Sequence, residues 1–138
     1  MKNKKGNKKT RIILVFFVVI IIPAIWFLFL KNDSDFDMAS EKLSGSWLRS
    51  DGTYSISISN VEPEGKLEAA YFNPNPINVG RSEWGMQDKK LLLYVEMDDV
   101  NYKGSNYRLT YIEKSDQLVG YYFQAGTNQT YNVSFSKK

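Results

Sequence analysis

Alternation of apolar and polar side chains dominates the sequence after residue 52. In residues 53–59 (TYSISIS), Tyr54, Ile56 and Ile58 alternate with residues that carry hydroxyl groups. The same period of two recurs in residues 107–111 and 131–135. Successive side chains of a β-strand point to opposite faces of a sheet, so this period predicts strands with one buried face.

The whole pattern predicts eight short strands. They cover residues 46–50, 53–59, 66–73, 77–84, 91–97, 107–111, 118–124 and 131–135. Turn-forming pairs separate them, and a spacing of about 8–12 residues is typical of a sandwich or barrel. The connections are too short for the crossovers that parallel strands need. We therefore predict an all-β domain, an antiparallel eight-stranded up-and-down meander whose closure into a barrel removes both exposed edges.

A second feature is a run of nineteen apolar residues, 12–30, which follows five lysines and an arginine in residues 1–11. As a helix this run is about 28 Å long, close to the ~30 Å hydrocarbon core of a bilayer. The basic cluster predicts a cytoplasmic N-terminus and an extracytoplasmic C-terminal domain. A cleaved signal peptide, which would leave the protein secreted, is the alternative. The run exceeds the usual signal core of about 7–15 residues, which favours an uncleaved signal-anchor.

The predicted organisation has four parts. Residues 1–11 form a basic cytoplasmic tail, residues 12–30 a transmembrane helix, residues 31–42 a linker and residues 43–138 the β-barrel domain. We expect the linker to be a short tether, and a fraying helical turn is the alternative. Outside the basic tail, twelve Lys and Arg stand against fifteen Asp and Glu, a net charge of −3. The alkaline isoelectric point thus reflects the tail, and we predict no nucleic-acid partner.

Composition also limits the chemistry. The sequence has no cysteine and no histidine, so it lacks thiol nucleophiles, thiolate metal sites and the commonest general base. Its glutamates alternate with apolar residues, as outward-facing strand residues do. Asp98, Asp99 and Asn101 group oxygen ligands, but the remainder of a calcium-binding loop is missing and a solvated turn is favoured. We therefore predict no enzyme activity, no cofactor and no metal site.

Three segments resemble a known family. Residues 43–47 (LSGSW), 51–53 (DGT) and 65–71 (GKLEAAY) are similar to the first strands of avidin-like barrels, which are related in architecture to lipocalins. The resemblance implies an eight-stranded meander over residues 43–138. It places Thr53 at a serine position of that family and Tyr71 at a ring-hydroxyl position. Arg49 replaces a polar amide, and the family's aromatic wall and last-strand carboxylate have no counterpart, so biotin binding is not implied.

The chain also resembles small uncharacterised bacterial exported proteins. This likeness rests on residues 71–79 (YFNPNPINV) and 101–107 (NYKGSNY) and implies no particular activity. The first of these segments holds two Asn-Pro pairs. Because proline restricts both its own backbone and that of the preceding residue, this loop should be stiff.

The abundant tyrosines suggest a ligand site. An eight-stranded barrel is just wide enough for its own side chains or for one small ligand. Tyrosine offers such a ligand a ring face and a hydroxyl group. The predicted ligand-binding residues are Arg49, Thr53, Tyr71, Asn73, Tyr107, Tyr111 and Tyr122.

The sequence is compatible with two functions. The first is a membrane-anchored extracytoplasmic binding module, without catalysis, for a small molecule or short peptide. The second is a structural or interaction protein, whose plugged barrel docks through its rim and its Asn-Pro loop onto another cell-envelope component. An open cavity lined by tyrosine and arginine favours the first, and a filled interior beside an exposed apolar patch favours the second.

Overall fold

The computed structural model describes residues 33–138 of the chain. The predicted basic tail and transmembrane helix, residues 1–30, lie outside the described residues. Within residues 33–138, no helix has both the length and the apolar character that crossing a bilayer requires. Asp35–Lys138 forms one compact unit.

The fold after residue 43 is an antiparallel β-barrel. Its strands are β1 Gly45–Arg49, β2 Ser55–Ser59, β3 Glu68–Asn73, β4 Asn75–Ile77, β5 Val79–Gln87, β6 Lys90–Met97, β7 Asn106–Ile112, β8 Gln117–Gln124 and β9 Gln129–Lys137. They form one sheet in the order β4-β3-β2-β1-β9-β8-β7-β6-β5. β1 pairs antiparallel with β9, so the two ends of the meander meet. The predicted antiparallel meander is confirmed.

Two details of the predicted barrel are wrong, the strand count and the full closure. The sheet has nine strands, because the predicted strand at 77–84 is divided between β4 and β5. The chain reverses over Pro74, and Asn75 pairs with Asn73 at the end of β3. Proline lacks a backbone N–H and is tolerated in edge strands, so this loop can form a short extra strand beside β3.

A seam between β3 and β5 leaves the barrel nearly closed. One bridge joins Lys66 to Glu83 across this seam. Beside the bridge, the Ser82 hydroxyl donates a 2.6 Å hydrogen bond to the Leu67 carbonyl oxygen. The seam is thus held by a few contacts near one end rather than by a continuous ladder, and β4 covers β3 near the other end.

The core follows the predicted alternation. Its largest fully buried side chains are Trp47, Tyr71, Tyr107 and Phe135, all on inward-facing strand positions. Ile56 and Ile58, which the sequence pattern placed on one face of a strand, are both buried. Burial of apolar surface at about 25 cal/mol per Å² makes this core the main source of stability, since the chain has no disulfides.

A helix over residues 33–43 precedes the barrel. The segment predicted as a linker is therefore helical over residues 33–42, and this helix is longer than the fraying turn that was the alternative to a tether. Ala39 and Leu43 are fully buried in the barrel core. The Trp47 ring N–H donates a 2.8 Å hydrogen bond to the Leu43 carbonyl, one of the carbonyls at a helix end that have no partner within the helix. The helix is therefore anchored to the end of the barrel where β1 begins.

Candidate functional site

The mouth of the barrel is its other end, formed by the β1–β2, β3–β4, β6–β7 and β8–β9 connections. It holds a cavity of about 310 Å³, referred to below as the mouth cavity. The residues that line it are Arg49, Tyr54, Tyr71, Asn73, Tyr102, Tyr122, Gln124 and Tyr131. Most of these lie at the mouth end of a strand and occupy inward-facing positions, so that strand termini and adjacent loops assemble the wall.

Arg49 is the central charged group of the wall. Its Nε and Nη2 atoms donate hydrogen bonds of 2.5 Å and 3.0 Å to the two carboxylate oxygens of Asp51. Its Nη1 atom donates a 3.1 Å hydrogen bond to the Tyr107 hydroxyl. The guanidinium lies 4.0 Å from the Tyr54 ring centroid, within cation–π range. The Arg49 side chain is only 11% exposed, so these partners hold it in one orientation.

The ionisation of this pair follows from its contacts. Hydrogen bonding to Arg49 lowers the pKa of Asp51, against a smaller opposing effect of burial. Burial alone lowers the pKa of Arg49, but hydrogen bonds to Asp51 and Tyr107 outweigh it and raise that pKa above its ordinary value. Both groups therefore stay charged near neutral pH, as a bidentate ion pair.

Stacked tyrosines form the floor of the mouth cavity. The hydroxyls of Tyr71 and Tyr107 lie 3.0 Å apart and share a hydrogen bond. The Tyr107 ring stacks on Tyr122, with centroids 4.7 Å apart and planes 29° from parallel. Burial is the main cause that raises the pKa of Tyr71 and of Tyr107. The floor is thus uncharged near neutral pH, and Tyr71 and Tyr107, which are fully buried, support the rings above them.

Amides and tyrosine hydroxyls form the polar rim. Asn73 Nδ2 donates a 2.8 Å hydrogen bond to the Tyr102 hydroxyl, which connects the end of β3 to the β6–β7 loop. The Tyr131 hydroxyl lies 2.5 Å from Gln129 Oε1 and 3.3 Å from Gln124 Oε1, and donates its single proton to one of these two oxygens. These contacts order the rim before a ligand arrives.

Five of the seven predicted site residues come together at this end. Arg49, Tyr71, Asn73 and Tyr122 line the mouth cavity. Tyr107 lies directly beneath, where it is fully buried and contacts Arg49 and Tyr71.

The other two predicted site residues lie elsewhere. Thr53 is exposed in the β1–β2 turn, outside the cavity lining. Tyr111 faces inward at the opposite end, where its ring meets Trp47 edge to face at 6.3 Å. Its hydroxyl donates a 2.8 Å hydrogen bond to Asp116, and burial together with that bond raises the pKa of Tyr111 to about 12.

Four lining residues were not predicted, namely Tyr54, Tyr102, Gln124 and Tyr131. Three of them carry a usable signal, because the period of two assigns them to the inward face of their strands. Tyr54 shares its parity with Ile56, Gln124 with Tyr122, and Tyr131 with Val133. Tyr102 lies in a loop, where no periodicity applies.

The acidic turn of residues 98–101 has a structural use. The Asp99 carboxylate accepts backbone hydrogen bonds from Asn78 at 3.0 Å and from Val100 at 2.8 Å, and these bonds lower its pKa. Within residues 33–138, no cluster of three or more acidic residues is arranged to hold a metal ion.

A second concave surface lies on the outside of the barrel over β5–β9. This outer groove has a volume of about 820 Å³, and its side chains include Leu92, Tyr94, Thr110, Val119 and Tyr121. These residues alternate with buried core residues, so they face outward. Tyr121 is 56% exposed and Val119 is 38% exposed, which makes the groove an accessible, largely apolar surface.

Comparison with known proteins gives no relative. No protein-family model matches this chain, and neither a curated protein nor a solved structure matches it. The resemblance to avidin-like and lipocalin-like barrels therefore stays a prediction from the sequence.

Proposed function

We propose that the chain is a non-catalytic binding module whose mouth cavity takes a small molecule or a short peptide. The observation that carries this proposal is a cavity of about 310 Å³ lined by tyrosine, arginine and amide side chains. Ligand sites occupy about 300–1,000 Å³ and combine aromatic walls with a few fixed polar groups. The hydrogen bonds within the wall favour binding, because a preordered site loses little freedom when a ligand enters.

We also propose that residues 12–30 anchor the module in the cell membrane, with its C-terminal domain outside the cytoplasm. The nineteen apolar residues and the preceding basic cluster support this assignment. A ligand would then be captured at the cell surface. Cleavage after the apolar run would instead release the same module from the cell.

A second candidate function is docking onto another cell-envelope protein. The outer groove supports it, because exposed apolar surfaces rimmed by polar residues often mark interaction sites. The interior below the mouth supports it as well, since Trp47, Tyr107 and Phe135 fill that space. The two functions use different faces of the barrel, and variants can separate them.

Native mass spectrometry of the full-length chain, purified from its host membrane, tests both functions. Gln124→Trp places a large side chain at the mouth, and Val119→Lys puts a charge into the outer groove on the same strand. A copurified small mass that disappears in Gln124→Trp and persists in Val119→Lys supports the binding module. A copurified protein that is lost in Val119→Lys alone supports docking. If the unmodified chain carries no small mass, and its spectrum differs from that of Gln124→Trp only by the substitution, the binding module is contradicted.

A further inference from the structure

We infer that the ligand of the mouth cavity is an uncharged sugar ring, either free or at the end of a glycan. This inference rests on the proposed binding function and names its ligand class. It follows from three properties of the wall: its charge balance, the arrangement of its aromatic rings and the chemistry of its rim.

The charge balance disfavours a charged ligand. Among the described residues that line the cavity, Arg49 alone carries a formal charge, and both Asp51 carboxylate oxygens accept hydrogen bonds from it. The Asp51 carboxylate balances the charge of Arg49, so an anionic ligand meets an ion pair with no net charge. A cationic ligand would meet the guanidinium, which already covers the Tyr54 ring at 4.0 Å. A neutral ligand encounters neither cost.

The aromatic geometry disfavours a flat heterocycle held between two rings. Tyr122 and Tyr131 are the near-parallel pair at the mouth, 23° apart in orientation, with centroids separated by 6.3 Å. A planar ring between two faces needs about 7 Å, twice the ~3.5 Å contact distance of carbon atoms. Tyr71 and Tyr102 meet at 75° and form no slot. A saturated ring needs only one aromatic face, because its C–H groups pack against the electron-rich face of a single tyrosine ring.

The rim suits a ligand that bears several hydroxyl groups. Asn73 and Gln124 each carry an amide, which both donates and accepts hydrogen bonds, and the tyrosine hydroxyls do the same. Sugar hydroxyls need this pairing of a donor with an acceptor. The cavity volume of about 310 Å³ lies at the lower end of the range for ligand sites, which matches one ring rather than a long chain.

Ligand-observed saturation-transfer NMR tests the inference on the full-length chain in a detergent without a sugar headgroup. The neutral probes are the methyl glycosides of glucose, galactose, mannose and N-acetylglucosamine. Glucuronic acid and glucosamine supply the same ring with a negative or a positive charge. We expect at least one neutral probe to bind with a dissociation constant on the order of 1 mM, as few ring atoms allow. We expect the charged probes to bind at least tenfold more weakly.

Two variants assign any binding to the mouth. Tyr131→Ala removes an exposed ring of the wall, and Tyr121→Ala removes an exposed ring of the outer groove. We expect Tyr131→Ala to weaken binding of the neutral probe at least fivefold and Tyr121→Ala to leave it unchanged. Thermal unfolding of both variants checks that each is folded.

The inference and the proposed function fail in different ways. Binding of glucuronic acid in preference to the neutral sugars, lost in Tyr131→Ala, overturns the sugar-ring inference and leaves the mouth as a ligand site. Failure of every neutral probe also overturns the inference, whereas a copurified mass that depends on Gln124 still supports the binding function. Neutral binding that Tyr131→Ala does not change places the sugar elsewhere and overturns the inference.

Discussion

Arg49 and Tyr107 are 58 positions apart in the chain, yet Arg49 Nη1 donates a 3.1 Å hydrogen bond to the Tyr107 hydroxyl. Strands β1 and β7 are not neighbours in the sheet, so this bond crosses the barrel interior. The same hydroxyl lies 3.0 Å from that of Tyr71 on β3. A single buried phenol thus connects three strands beneath the mouth cavity.

Removal of that phenol oxygen tests its structural role. Tyr107→Phe leaves the Arg49 guanidinium and the Tyr71 hydroxyl without this partner in a buried setting. We expect the free energy of unfolding to fall by about 1–3 kcal/mol, the usual cost of a buried polar group left unpaired. Urea unfolding followed by circular dichroism measures it. Tyr121→Phe, at an exposed position, is the control and should change stability by less than about 0.5 kcal/mol.

The Arg49–Asp51 ion pair predicts a pH-dependent contribution to stability. Because the pKa of Asp51 is lowered in the folded protein, its contribution is present above the unfolded pKa of about 3.9. It is lost as pH falls through the lower folded pKa. We expect Asp51→Asn to cost less than about 1 kcal/mol at pH 7, since Asp51 is largely exposed. The difference from the unmodified chain should shrink below about pH 4.

Urea unfolding at pH 7, 4 and 2.5 follows that difference. Glu64→Gln, in the exposed turn between β2 and β3, controls for the general loss of a surface carboxylate. A cost of Asp51→Asn that is the same at all three pH values would mean that the ion pair contributes nothing, and that the side chain acts through its shape.

Gly120 on β8 is required by the close approach of β7. A Cβ atom at this position would lie 2.0 Å from the Arg108 carbonyl oxygen, which is backbone and has little freedom to move. We expect Gly120→Ala to destabilise the barrel by more than about 3 kcal/mol, beyond the usual range for overpacking. Thermal unfolding or the yield of folded protein reports it.

Gly85→Ala is the matched control for Gly120→Ala. Gly85 lies within β5, and a Cβ atom there meets no heavy atom within 4 Å among the described residues. The substitution should change stability by less than about 1 kcal/mol, because alanine lowers the conformational freedom of the unfolded chain. Equal effects of the two substitutions would contradict the assigned role of the β7–β8 contact.

The β5–β6 hairpin offers a stabilising substitution. Asp88 and Lys89 form its two-residue turn, with φ angles of 49° and 61°. Two-residue hairpin turns with both φ angles positive favour glycine at the second position. We expect Lys89→Gly to raise the free energy of unfolding by about 0.5–1 kcal/mol. Lys90→Gly, one residue later in β6, should instead lower it, and stabilisation by both would refute the turn explanation.

Much of the barrel could be predicted because its determinants are local. A period of two assigns Ile56, Leu109 and Val133 to buried faces, and short turns force neighbouring strands to pair antiparallel. The helix before β1 also has a local signal. Its buried Ala39 and Leu43 are spaced by four residues, as on one face of a helix.

Other features depend on contacts between distant segments. The ninth strand forms because residues after Pro74 find a free edge on β3, and the Asn-Pro pairs by themselves predicted only a stiff loop. The seam between β3 and β5 depends on where those two strands meet. The local pattern of either strand carries no information about that meeting point.

Tyr107 and Tyr111 show what the sequence determines and what the tertiary structure determines. Both lie on β7 with the same parity, so the alternation of the sequence alone determined that both face the interior. Four residues of a strand extend about 13 Å, however, and the alternation does not show where along that length a side chain lies. Tertiary register places Tyr107 beneath Arg49 at the mouth and Tyr111 beside Trp47 at the other end. The side of the sheet is a property of each strand, whereas depth in the barrel depends on the stagger of all the strands together.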